Sequence, residues 1–150
     1  MTTHVRIDWW NIGFTVVFAA LSCIGYGIVV RTHGVPHTIS LGDAVIIVLA
    51  TFRLTRLAVY DSITAWARDM VAHGKPFTLV GTLKTLANCP WCMGLWFGLV
   101  TVTAYYALAF AWFFLLVLAL GGVASLVQIF ANWLGWHAEY HKIKSINEQR

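Results

Sequence analysis

The sequence predicts an all-α integral membrane protein: four transmembrane helices with a short amphipathic elbow between the second and the third. Three observations carry that prediction. Only 11% of the 150 residues are charged and 59% are hydrophobic, whereas a soluble domain is about a quarter charged. Uncharged apolar stretches of the length that reads as a membrane span recur along the chain. One of them, Thr85 to Ala138, contains no Asp, Glu, Lys or Arg at all. The net charge of +4 is small and scattered, which fits a role in setting topology and touching lipid headgroups rather than binding nucleic acid.

The whole chain, 1–150, reads as a single membrane domain. Met1 to Asp8 is a polar lead, and the first span covers about 9–30, opened by the interfacial pair Trp9 and Trp10 and closed by Arg31. It is longer than a signal-peptide core of about 7–15 residues and no A-x-A-like site follows, so it reads as a retained span. Gly25 and Gly27 allow a close helix contact. Thr32 to Ser40, with Gly34 and Pro36, is a loop.

The second span, about 41–60, is the least hydrophobic because it carries Arg53 and Arg56. Three residues apart, the two share a helix face. They lie in the second half of the span, within snorkelling reach of the headgroups. Three readings are open for them: topology anchors, helix-locking partners of Asp61 or another carboxylate, and a binding or transport site, the default for intramembrane charge.

The segment 61–88 is interfacial. Ile63, Trp66, Ala67, Met70 and Val71 repeat at helical spacing, as do Leu79, Val80, Leu83, Leu86 and Ala87 after Thr78. Gly74 and Pro76 separate the two runs. Two short helices lying in the interface fit best, and a re-entrant elbow is the alternative.

From Pro90 to Leu134 a single helix would run about 68 Å at 1.5 Å per residue, over twice the roughly 30 Å of hydrocarbon. The run must turn back. A turn near Phe110–Trp112, inside an aromatic belt that includes Tyr105, Tyr106, Phe113 and Phe114, leaves spans of about 91–109 and 112–134 and a tail of 135–150. A turn at Gly121 and Gly122 would leave one piece too short. Gly94 with Gly98, and Gly121 with Ser125, form small-x-x-x-small faces for helix packing within the chain or between copies.

Four spans put both termini and 61–88 on one side. Arg6, Arg68, Lys75, Lys84, Lys142, Lys144 and Arg150 gather there against Arg31 opposite. The positive-inside rule makes that side cytoplasmic, in a bacterial inner membrane.

The chemical clue is Asn-Cys-Pro-Trp-Cys-Met-Gly-Leu-Trp, 88–96. Pro90 suits the first position of a helix, which sets Cys89 at the cap and Cys92 one turn in, near the positive end of the helix dipole. Three readings stand open: a thiol-redox pair; half of a zinc site completed by His137 and His141, at i and i+4 in the tail, with His73 a spare candidate; and plain packing against Trp91 and Trp96. Nothing else resembles a catalytic constellation. His137-Ala-Glu-Tyr-His141 has the wrong order for H-E-x-x-H, and there is no G-x-S-x-G or phosphate loop. The chain reads as no enzyme, with zinc its one candidate cofactor.

Phe-Arg-Leu-Thr-Arg-Leu-Ala-Val-Tyr-Asp (52–61) followed by Cys-Pro-Trp-Cys-Met-Gly-Leu-Trp (89–96) resembles a family of small bacterial and phage multispan membrane proteins carrying only a domain-of-unknown-function label, with sporulation-associated members. The resemblance covers roughly 41–134. It implies that Arg53, Arg56, Asp61, Cys89, Cys92, Gly94 and Trp96 are family-type positions, and it leaves the first span and the His-bearing tail outside. The leading functional expectation is a membrane protein that self-associates or scaffolds a complex with another membrane protein. A phage-type, holin-like lysis protein is the alternative, followed by a protein stabilised by zinc or thiol chemistry at the elbow.

Overall fold

The computed structural model describes residues 9–33 and 39–148 and is built from helices. The polar lead with Arg6, the loop residues Gly34 and Pro36, and Arg150 lie outside the described residues. Helix α1 runs Trp9–His33, α2 Leu41–Val59, α3 Ala65–Val71 after a 3-10 turn at Ser62–Thr64, α4 Leu79–Ala87, α5 Pro90–Ala107 and α6 Ala111–Glu148.

Local chemistry explains the ends. Ser40 caps α2 by accepting the Asp43 N–H at 3.1 Å, and Thr78 caps α4 by accepting the Gly81 N–H at 3.1 Å, each satisfying a donor that a helix start leaves orphaned. Between α3 and α4 the backbone crosses itself so closely that a Cβ on Gly81 would lie 2.0 Å from the Lys75 carbonyl oxygen. Phe77 turns this corner at a φ of 62°. The expected turn after α5 comes at 108–110, bridged by the Ala111 N–H donating to the Leu108 carbonyl at 3.0 Å. Gly121 and Gly122 lie inside α6. The tail expected from 135 continues the same helix to Glu148, because no proline interrupts it and Lys, Glu and Ala are good helix formers.

The lateral order of the long helices is α1, α5, α2, α6. Trp96 of α5 meets the rings of Phe14 and Phe18 of α1 edge-on at 6.5 and 5.2 Å, and further along Gly25 faces Leu99 and Thr103, so α1 and α5 run parallel. Gly94 lies against Thr55 and Gly98 against Thr51, so α5 and α2 are antiparallel. Ala50 packs with Ala111 and Leu115 while Arg53 reaches Gly121 and Ser125, so α2 and α6 run parallel. The four helices therefore alternate in direction along the chain. Helix α4 crosses the end of this layer at 87° to α5.

The interior is thin and built from small residues. Ala50, Ala111 and Leu115 form the buried cluster, flanked by Ile46, Ala104, Tyr105 and Leu118. Thr101, 1% exposed, shares a hydroxyl hydrogen bond of 2.8 Å with Thr51. Large apolar side chains such as Val16, Leu21, Leu95, Val117 and Phe130 point outward instead, an arrangement that suits lipid rather than water. Among the described residues two helices, Trp9–Arg31 and Ala111–Lys142, are long and apolar enough to cross a membrane, and three if the bent pair α4 and α5 is one span. Helix α2 has 19 residues but includes Asp43, Arg53 and Arg56.

Candidate functional site

Polar side chains cluster at both ends of α2. At its start Ser40 donates to the Asp43 carboxylate at 2.7 Å, which also interacts with the side chains of Tyr105 of α5 and Trp112 of α6. One carboxylate thus ties three helices at the end opposite the cysteines. The sequence signal for this knot, an acidic residue in a first turn after a serine, reads as an ordinary helix start and hides its tertiary partners.

At the other end, Arg53 donates from one guanidinium nitrogen to Ser125 Oγ of α6 at 3.0 Å and pairs with Asp61 at 3.1 Å. The aliphatic part of its side chain lies along Gly121. Arg68, from α3, donates to the Ala58 carbonyl at 2.8 Å, to the Asp61 carbonyl at 2.9 Å and to Thr64 Oγ1 at 2.8 Å, and Thr64 Oγ1 itself donates to the Leu57 carbonyl. These bonds satisfy carbonyls that the end of α2 leaves unpaired. In the sequence Arg68 reads only as a topology charge; its role here depends on α3 folding back over α2.

Arg56 parts company with Arg53. Positions three apart differ by about 60° around a helix, enough to send the second guanidinium to the other flank, into a groove between α2 and the start of α5. Val48, Phe52, Thr55, Tyr60 and Trp91 line this groove of about 580 Å³. The guanidinium carbon sits 5.4 Å from the Tyr60 ring centroid and 6.0 Å from that of Phe52.

Pro90 and Trp91 of the Cys-Pro-Trp-Cys stretch line the groove, with the two cysteines flanking them in sequence. Pro90 is at the start of α5 and Cys89 is its N-cap, its sulfur accepting the Cys92 N–H at 3.3 Å. Both thiols are free. A hydrogen bond from the Cys92 side chain, and then the Cys92 backbone N–H, hold the Cys89 thiol below its ordinary pKa. Cys89 is therefore the more readily ionised thiol of the pair. Alkylation of Cys89 in a Cys23→Ala background is expected to proceed at a lower pH than for an ordinary thiol. Adding Cys92→Ala removes the side-chain donor and should move the midpoint of its rate–pH profile upward; an unmoved midpoint would remove Cys92 as the cause.

The four residues expected as a zinc set are not brought into one group. Among the described residues no three His, Cys, Asp or Glu side chains stand together as a metal site. Cys89 and Cys92 lie at the start of α5, whereas His137 and His141 sit on the exposed far half of α6, in a ladder with Trp133 at ring separations of 5.3 and 5.1 Å. The small-residue faces, by contrast, are both occupied: Gly94 and Gly98 face α2 from one side, and Gly121 and Ser125 face it from the other.

Residues 46–131 match the family described as protein of unknown function (DUF1360), a range that holds every position of the polar end and of the cysteine mouth. Over 109 residues the chain is 31% identical to the sporulation protein YjcA of Bacillus subtilis (strain 168), covering 60% of this chain and 92% of that relative. No solved structure matches.

Proposed function

The chain belongs to the DUF1360 family, and from that premise we propose that it is a non-enzymatic four-span protein of a bacterial inner membrane that scaffolds a membrane complex, with both termini on the cytoplasmic side. The alternation of direction among α1, α2, α5 and α6 supports four crossings. The charged residues of α2 are tolerable there because Asp43 and Arg53 are bonded to neighbouring helices, which lowers the cost of charge inside a membrane.

The observation that carries the scaffold reading is the far half of α6. The small-residue faces are taken up inside the chain, yet from Leu126 to Lys142 every residue of α6 is exposed, including Phe130, Trp133, Trp136 and Tyr140. This is a helix with its intramolecular contacts behind it and a stacked aromatic edge ahead. Contact with a second copy or with another membrane protein would use that edge.

Topology and assembly are tested separately. In a background lacking native cysteines, Lys84→Cys and Phe110→Cys should label from opposite sides of sealed vesicles; labelling from one side would sink the four-span reading. Photocrosslinking residues placed singly along 126–140 should capture a protein with a period of three to four positions. Capture of lipid alone at every position would overturn the scaffold reading. Collapse of membrane potential on expression would replace it with a permeabilising oligomer.

A further inference from the structure

Arg56 differs from its neighbours. Arg53 has Asp61 and Ser125, and Arg68 has two carbonyls and a hydroxyl. Arg56 has no carboxylate or hydrogen-bond partner among the described residues, and its Nε, fully buried, has no acceptor. The rings of Tyr60 and Phe52 hold its guanidinium at one edge of the groove. A buried N–H without an acceptor is costly, and an unpaired guanidinium near hydrocarbon more so.

The rest of the groove is graded. Val48 lies eight residues before Arg56, about 12 Å deeper at 1.5 Å per residue. Phe52 and Gly94 stand between them, together with Thr51 and Thr55, whose hydroxyls are taken up by the Ile47 and Thr51 carbonyls, so the deep part is mostly apolar and the cation lies near the mouth. Tyr60 and Trp91, 57% and 86% exposed, flank that mouth as side chains at headgroup level do. Charge at one end, hydrocarbon contact along the rest and an aromatic rim together describe an amphiphile with an anionic head.

We propose that this groove seats one anionic phospholipid of the cytoplasmic leaflet, its phosphate on the Arg56 guanidinium and an acyl chain along Phe52, Gly94 and Val48. The assignment of leaflet rests on the four-span reading above. Guanidinium matches phosphate geometry through paired N–H donors, and basic pockets between membrane helices on the cytoplasmic side are suited to anionic headgroups. The mostly apolar wall favours a lipid over a free anion. The site also gives Pro90 and Trp91 a physical setting: they line the groove beside the lipid head, where the start of α5 meets the interface.

The test is native mass spectrometry of the full chain released from detergent micelles holding phosphatidylglycerol or phosphatidylcholine with identical acyl chains. Both lipids carry a phosphate, but the phosphatidylcholine head is neutral overall and its quaternary ammonium repels a guanidinium, so the wild type should retain phosphatidylglycerol on the order of tenfold over phosphatidylcholine. Arg56→Gln should bring that ratio near one, Arg56→Lys should keep part of it, and Lys84→Gln should leave it unchanged. Equal retention of the two lipids by the wild type would overturn the proposal without reliance on any variant. So would a preference that survives Arg56→Gln, or displacement of the lipid by equimolar inorganic phosphate. Because the ratio is read in micelles, its failure is distinct from a failure of the vesicle labelling that tests topology.

Discussion

Gly122→Leu is expected to prevent α2 and α6 from docking, with most of the expressed protein lost from the monodisperse fraction in detergent. A Cβ at this position would lie 2.7 Å from the Leu49 carbonyl oxygen and 3.4 Å from its carbon. Those are backbone atoms of α2 and cannot rotate aside, so the helices must separate. Overpacking a well-fitted interior costs about 1–3 kcal/mol where side chains can adjust, and the cost is larger where backbone must move. Separation would also lengthen the Arg53 contact to Ser125, one turn further along α6. Gly13→Leu is the matched control, since a Cβ there meets nothing within 4 Å. Size-exclusion profiles and thermal midpoints of the two variants check the claim, and a Gly122→Leu protein that melts like wild type would refute it.

Arg53→Met should produce the second large loss. It removes the bond to Ser125 and leaves Asp61 without its cation. Breaking a fully buried pair costs about 3–5 kcal/mol. Here the side chains are 26% and 28% exposed, so solvent screens part of the charge left behind, and about 1–3 kcal/mol is the expected loss. Arg53→Lys should rescue only partly, because the one guanidinium nitrogen that meets both partners stands further from the backbone than a lysine ammonium reaches with the same geometry. The discriminating measurement is a double-mutant cycle with Asp61→Asn in detergent unfolding experiments. Coupling should appear as a double variant distinctly less destabilised than the sum of the two singles. Additive losses would show that the 3.1 Å pair contributes no coupling.

Much of the architecture is legible in the sequence, for reasons that are local. Ser40, Thr78 and Cys89-Pro90 mark helix starts by capping chemistry, and apolar periodicity exposes the two short interfacial helices. Length alone forces the break after α5, since one helix would overshoot the hydrocarbon. The pairing of Arg53 with Asp61 is among the readings the sequence itself offers. Less accessible was the division of labour between the two arginines, because a shared face on paper hides the roughly 60° that sends Arg56 away from α6.

Sequence by itself determined the all-helical, apolar class of the protein, most of the helix starts, the elbow and the chemical identity of the residues at its mouth. Those follow from hydropathy, helix length and capping, which depend on neighbours along the chain. Tertiary structure decided the rest: that α2 sits between α5 and α6, that both small-residue faces close on it, that Asp43 joins three helices, and that the His pair of α6 stands apart from the cysteines. These depend on which faces meet across separations of 50 residues or more, as between Thr51 and Thr101 or Arg53 and Ser125. Apolar surface is nearly interchangeable in lipid, so hydropathy cannot rank such pairings. Close backbone approach and a few buried polar bonds choose among them, and these exist only once the helices are packed.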